Sequence, residues 1–361
     1  MKNLIGKQID HYKIQELIGE GGMAVVYKAI NTRLDSDMAV KLIRIERLVP
    51  EALEKTLKRF EREAKALAQL THPNIVKVTD YGEYESRPYL VMEYLSGGSL
   101  KKFLGKPLPW QQAASLLAPI ARALEFVHLH NIIHRDVKPS NILLTESGQP
   151  MLADFGIAKI IDEEATVDLT GTRATVGTPE YMSPEQGLGK AIDARADVYS
   201  LGVILYELVV GRKPFTADTP IETLFKHVNE PLPRPKSIIQ NLPDPVEQTL
   251  IKALSKKVED RYQSMRDFAV ALENIAVPIS ESESRQDNPL RKTDQLMDDS
   301  ETFATLYQES TANKAEPISI KISGPPQTDS WTAGWKGVLA FISIPVAILI
   351  IIFAVLILFI R

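Results

Sequence analysis

The sequence predicts an α+β protein of two unequal lobes, the first rich in strands and carrying one helix, the second mostly helical, with a linker and a membrane-spanning helix after them. Three observations predict it. Up to Met92 the apolar residues come in short runs broken by Gly, Asn, Asp or Pro, as strands do. After Gly97 and Gly98 they recur at helical spacing. Finally, Val338–Ile360 is a run of 23 residues without a charge, broken only by Ser343 and Pro345.

Taken in order, the expected strands are Tyr12–Ile18, Val25–Ile30, Met38–Ile43, Val76–Tyr81 and Tyr89–Met92. One helix interrupts them: Leu53, Leu57, Phe60, Ala64 and Leu67 draw an apolar stripe, which predicts a helix over Ala52–Leu70. In the second lobe Leu117, Ile120, Leu124 and Val127 make another stripe. The run Val198–Val210 is apolar nearly all round but, at 13 residues, too short to cross a bilayer, so it predicts a buried core helix. Residues 278–337 hold ten acids, six bases, fourteen Ser and Thr and no sustained apolar period, the composition of a flexible acidic linker. As a helix, Val338–Ile360 would reach roughly 34 Å, enough for a hydrocarbon core of about 30 Å. Trp331, Trp335 and Lys336 before it suit an interfacial anchor.

Composition excludes several chemistries. The chain of 361 residues has no cysteine, hence no disulfide, thiolate metal site or cysteine nucleophile. Its net charge is −4, and residues 1–277 carry 35 bases against 36 acids, so electrostatic binding to nucleic acid is not expected. The first residues lack an apolar signal-peptide core, and with only Arg361 after the apolar run no external sensor domain is expected.

The chemistry-bearing residues begin at Gly19-Glu20-Gly21-Gly22-Met23-Ala24-Val25-Val26, a glycine-rich turn between two strands. Such a turn lets backbone N–H groups approach phosphates, although an ordinary hairpin has the same composition. No Gly-Lys-Ser or Gly-Lys-Thr occurs, so a Walker-type loop is excluded. Lys41 ends the run Met38-Ala39-Val40; flanked by apolar residues it would be partly buried and in need of an anion. Glu63 and Glu61 flank the helical stripe on opposite edges, and periodicity does not choose between them. Ile133–Leu144 encloses a polar loop bearing Asp136, Lys138 and Asn141, with Asp154-Phe155-Gly156 eighteen residues beyond Asp136. A carboxylate beside hard oxygen ligands suits proton acceptance from a hydroxyl, by Asp136, and Mg²⁺ binding, by Asn141 and Asp154.

This set, with His134-Arg135-Asp136 and Ser183-Pro184-Glu185, resembles the eukaryotic-like (Hanks-type) protein kinases. Gly21-Gly22-Met23-Ala24-Val25-Val26-Tyr27 and Glu180-Tyr181-Met182-Ser183-Pro184-Glu185 are similar to the bacterial transmembrane Ser/Thr members. The resemblance covers residues 12–275. It implies the two-lobed protein kinase fold: a small antiparallel β-sheet lobe with one helix at 12–92, a hinge at 93–98 and a mainly α-helical lobe at 99–275. It implies transfer of the γ-phosphoryl of ATP to protein Ser or Thr hydroxyls, with Mg²⁺, or Mn²⁺ in its place. Position by position, Ile18 to Val26, Ala39, Lys41, Glu93 and Leu95 would bind nucleotide, with Met92 beside the hinge. Lys41 would pair with Glu63. Asp136 would be the base, and Lys138 after it is typical of Ser/Thr kinases. Arg135, Asp197, and the pair Glu185–Arg261 would be structural.

The resemblance also implies regulation and place. Thr170 and Thr172 match the positions that bacterial relatives autophosphorylate, with Arg135 as the phosphate's partner, and Thr178 would lie in the substrate-docking loop. A kinase-domain dimer, formed as the membrane confines the chains, would serve activation in trans. The need for Mg-ATP puts the kinase on the cytoplasmic side of a cell membrane, with Arg361 at the far face. Ala24 in place of the loop's third glycine, and Ser183 in place of the usual Ala, are departures of small size. Two rival readings are a catalytically silent kinase fold acting as a membrane scaffold and a small-molecule phosphotransferase; the docking segment Gly177-Thr178-Pro179 argues against the second.

Overall fold

The computed structural model describes residues 4–22, 24–44, 50–155 and 179–277. The chain divides into units 1–288 and 289–361, and all described residues belong to the first. Met23, Gly156, the threonines 170, 172 and 178, the linker and the apolar run 338–360 lie outside the described residues. Among the described residues no helix is long and apolar enough to cross a membrane.

The first lobe is a six-stranded antiparallel sheet. Its strands are β1 (Gln8–Ile9), β2 (Tyr12–Glu20), β3 (Ala24–Asn31), β4 (Ser36–Ile43), β5 (Val78–Tyr84) and β6 (Arg87–Glu93), in the order β1-β2-β3-β4-β6-β5. Period-two alternation gives the sheet two apolar faces. Val25, Tyr27 and Ala29 of β3 join Leu4, Ile9, Tyr12, Ile14, Val40 and Val91 on one. Ala24, Ala39, Ile43 and Leu90 face the other way, with Phe60, Ala64 and Leu67 of helix α1 (Pro50–Ala68). The helix thus begins and ends two residues earlier than its apolar stripe predicts. Pro50 suits a helix start, where a missing N–H costs nothing.

In the second lobe α2 (Trp110–Leu129) buries Leu117, Ile120, Leu124 and Val127 completely, as their spacing predicts. A short turn α3 (Pro184–Gly187) precedes α4 (Arg195–Val210), in which every residue from Ala196 to Val210 is buried. An element enclosed on all sides has no polar face to present, which explains the near-continuous apolar run. Around it stand α5 (Pro220–Asn229), α6 (Asp244–Ala253) and α7 (Met265–Ala276), with α2 and α7 packed along each other.

Two short strands that the sequence reading did not anticipate, β7 (Ile142–Leu144) and β8 (Pro150–Leu152), pair between Asn141 and Asp154. They fix the ends of the polar loop. The segment joining the lobes is zipped to this ribbon: Gly97 N–H donates to Leu144 O at 3.0 Å and Leu144 N–H to Gly98 O at 2.9 Å. The approach is so close that a Cβ on Gly97 would stand 2.1 Å from the Thr145 carbonyl oxygen.

Candidate active site

Between the lobes lies a cavity of about 810 Å³, walled by Ile18, Gly19, Glu20, Gly21, Gly22, Ala24, Val26 and Ala39 from the sheet and by Met92, Glu93 and Leu95 from the connection. Asp136, Lys138, Asn141 and Asp154 line its floor, and Lys41 reaches in from β4. Tyr94 of the connection, Phe155 of the Asp154-Phe155-Gly156 motif, Leu143 and Ala153 also contribute to the wall; the last two are not singled out as site residues by the sequence. Val25 does not line the cavity. It sits in the outer apolar cluster, 2 % exposed, because alternation along β3 turns its side chain opposite to those of Ala24 and Val26.

The polar loop is held by its own atoms. Buried His134 sets its ring between Ala153 O, 3.0 Å from Nε2, and the Asp136 N–H, 3.3 Å from Nδ1. That pattern makes Nε2 the protonated nitrogen of a neutral ring, and burial pushes the imidazole below its ordinary range. Asn141 O accepts from Ala153 N–H at 2.8 Å, so β7, β8 and the loop move as one piece. Arg135 adopts φ +63° and Asp154 φ +61°, left-handed conformations that cost free energy in non-glycine residues and persist where surrounding bonds enforce them.

For Arg135 the enforcing group is Asp197, at the first turn of α4. Its carboxylate accepts from the His134 N–H and the Arg135 N–H, both at 2.9 Å, and stands 2.8 Å from His128 Nε2. Burial alone would raise the Asp197 carboxyl; the hydrogen bonds to its charged form outweigh burial and hold it below the usual carboxylate range. A second tie runs from Gln186, whose side-chain amide donates to Arg135 O at 3.0 Å while its oxygen accepts from the Ser183 N–H at 3.1 Å. Ser183 therefore sits at a helix N-cap, a position that favours Ser over Ala.

Asp136 Oδ2 is contacted by Lys138 Nζ at 2.8 Å and by Asn141 Nδ2 at 3.0 Å. Because the Asn141 amide spends its N–H groups on Asp136, and its Oδ1 accepts one long bond, 3.3 Å from the Ser140 hydroxyl, a second Oδ1 lone pair is available to a metal ion. Together with the Asp154 carboxylate this makes a pair of hard oxygen donors lining one cavity, a donor set that fits Mg²⁺.

Lys41 departs from expectation. Its ammonium bonds Asp154 Oδ1 at 2.8 Å and not Glu63, which lies half-buried on α1 with Arg62 4.0 Å away. The physical reason is that a lysine side chain only 11 % exposed requires an anion within reach, and the left-handed turn at Asp154 delivers one across the cleft. Further from the cleft, the Arg261 guanidinium is fully buried and spends all its donors. It pairs with both Glu185 oxygens at 2.7 Å and also donates to the carbonyls of Ser255, Arg195 and Lys256. Burial pushes the Glu185 carboxyl up, and the Arg261 fork more than reverses this, leaving it below its ordinary value.

A cleft with a glycine-rich turn and a buried lysine on one wall and hard oxygens on the other is that of the two-lobed phosphotransferase folds. The chain belongs to the protein kinase domain family, whose model matches residues 12–272. It is 40 % identical over 270 residues to the serine/threonine-protein kinase PknB of Mycobacterium leprae and 40 % over 273 residues to PknB of Mycobacterium tuberculosis. These matches cover 73 % and 74 % of this chain but 42 % and 43 % of the relatives, so the chain spans about two fifths of their length. Among solved structures it is similar to the kinase domain of PknI from Mycobacterium tuberculosis. That match has a TM-score of 0.59 and 26 % identity, over 76 % of this chain and 100 % of that one.

Proposed function

We propose that the protein is a membrane-anchored Ser/Thr kinase that transfers the γ-phosphoryl group of Mg-ATP to protein hydroxyls. The observation that carries this reading is the convergence of Lys41, Asp136, Lys138, Asn141 and Asp154 on the cavity walled by the glycine-rich turn. Asp136 accepts the proton of the incoming hydroxyl, and Lys138, already 2.8 Å from it, offsets charge beside the transferring group. Lys41 exchanges Asp154 for the α- and β-phosphates. Asn141 and Asp154 would hold Mg²⁺, which when bound neutralises charge on the phosphate oxygens. The family's kinases and the relatives' names support protein substrates.

The remaining parts of the reading rest on sequence outside the described residues. Val338–Ile360 anchors the chain with the kinase domain cytoplasmic, and a linker of this length lets neighbouring domains meet and activate in trans. Phosphate on Thr170 or Thr172 would bond Arg135 and order the segment before Tyr181.

The test is transfer of labelled γ-phosphate to protein by the full-length chain and by Asp136→Asn. The variant should bind nucleotide and lose roughly 10²- to 10⁴-fold in turnover. Equal turnover by both proteins overturns the kinase reading. Recovery of the full-length chain in the soluble fraction without detergent overturns the anchor, and undiminished activity of the Thr170→Ala, Thr172→Ala variant after phosphatase treatment of both proteins overturns the switch.

A further inference from the structure

In the sheet order β1-β2-β3-β4-β6-β5, Asp80 of β5 and the turn joining β1 to β2 belong to opposite ends. Yet the Tyr12 hydroxyl donates to Asp80 Oδ2 at 2.9 Å, so the sheet curls until its ends meet. At that seam Asp10, His11 and Asp80 bring one imidazole nitrogen and two carboxylates together, with the ligand atoms all within 4.8 Å of one another. None of the three lines the active-site cavity.

The seam is electrostatically incomplete. His11 Nδ1 is buried and lies 3.0 Å from Asp10 Oδ2, yet the contact is off the direction a hydrogen bond requires and the nitrogen has no hydrogen-bond partner. The ring packs against that of Tyr12, tilted by 37° with the centroids 4.1 Å apart. Asp80 Oδ1 accepts from the Tyr81 N–H at 2.8 Å and Oδ2 from Tyr12, so each oxygen has one donor and a free lone pair. Among the described residues neither carboxylate is ion-paired with a lysine or arginine. Two carboxylates crowded together repel, and a buried nitrogen without a partner loses its hydration; one shared cation relieves both penalties.

We propose that Asp10, His11 and Asp80 bind a divalent transition-metal ion of the zinc class, which staples the two ends of the curled sheet. The imidazole selects the class: Mg²⁺ and Ca²⁺ take all-oxygen shells, whereas zinc accepts His nitrogen with carboxylate oxygen. Asp10 is 55 % exposed, which leaves room for water to complete the shell.

The experiment is equilibrium dialysis of the full-length chain against Zn²⁺ with excess Mg²⁺ present, so that the hard-oxygen donors of the cleft are occupied. Metal-free melting of each variant is measured first. The chain should retain one equivalent of Zn²⁺ that Mg²⁺ does not displace, and zinc should raise its melting temperature. His11→Gln and Asp80→Asn should each weaken retention by at least about tenfold. Asp80→Asn keeps an acceptor for Tyr12; if it melts early nonetheless, His11→Gln, on the turn between β1 and β2, decides alone. Zinc retention unchanged in His11→Gln, no retention at roughly 100 µM free ion, or displacement by Mg²⁺ would overturn the proposal.

Discussion

Lys41 and Asp154, 113 residues apart in the chain, share an ion pair of 2.8 Å that closes across the cleft between the lobes. Each is thereby the other's counter-ion, and both line the cavity proposed to take the nucleotide. Lys41→Met should leave the fold intact and lower kcat/KM for phosphoryl transfer at least about a hundredfold, through loss of phosphate contact. Transfer kinetics beside a thermal melt separate this from misfolding. A variant as active as the parent would show that the lysine serves Asp154 alone.

Arg261 and Glu185 predict a stability effect without chemistry. Arg261→Lys keeps the charge but loses the fork that meets both Glu185 oxygens and three carbonyls, so the buried acceptors go unpaired. Urea unfolding should show a loss of about 3 kcal/mol or more.

Acid should destabilise the second lobe before carboxylates are protonated. His227 is completely buried, with Nδ1 2.9 Å from the Tyr199 hydroxyl, and burial together with the Lys256 ammonium pushes it down to about 4. Between its ordinary value near 6.5 and about 4 the unfolded chain binds a proton that the folded one refuses, so stability falls as pH falls through this window. The loss reaches about 3 kcal/mol at the bottom of it. Below it, Asp197 and Glu185, both held below the ordinary carboxylate range, add a further loss of the same sign. Unfolding measured from pH 7 to 4 should flatten in His227→Gln.

Gly97→Ala tests the connection between the lobes. The added methyl carbon would meet backbone oxygen at 2.1 Å, which a rotamer change cannot relieve, so the zip to Leu144 must open. A loss of roughly 2 to 3 kcal/mol is expected. Nucleotide affinity should fall with it, because Gly98 and Ser99 next to the break line the cavity.

What the sequence discloses follows from the range of each signal. Helix α4 is legible because an enclosed helix must be apolar all round, and α1 because Phe60, Ala64 and Leu67 share a face. Strands β2 to β6 announce themselves as short apolar runs bounded by turn residues. The partner of Lys41 is not legible: periodicity places Glu63 on a face of α1 but carries no information about its distance from β4, and the positive φ of Asp154 leaves no trace in residue type. Strands β7 and β8 have three residues each, too few for a period. Val25 shows the reverse case, where alternation alone would have turned it from the cleft while the glycine-loop pattern included it.

The seam at Tyr12 and Asp80 bears on how the molecule keeps company with its own kind. An open sheet offers its outermost strands to any passing chain as a template for further pairing, and cells filled with such ends accumulate aggregates. Here the two outermost elements face one another, and the turn bearing Asp10 adds a charge that an incoming strand would have to desolvate. Curling thus acts as colloidal protection for a lobe whose β5 is partly exposed along its length.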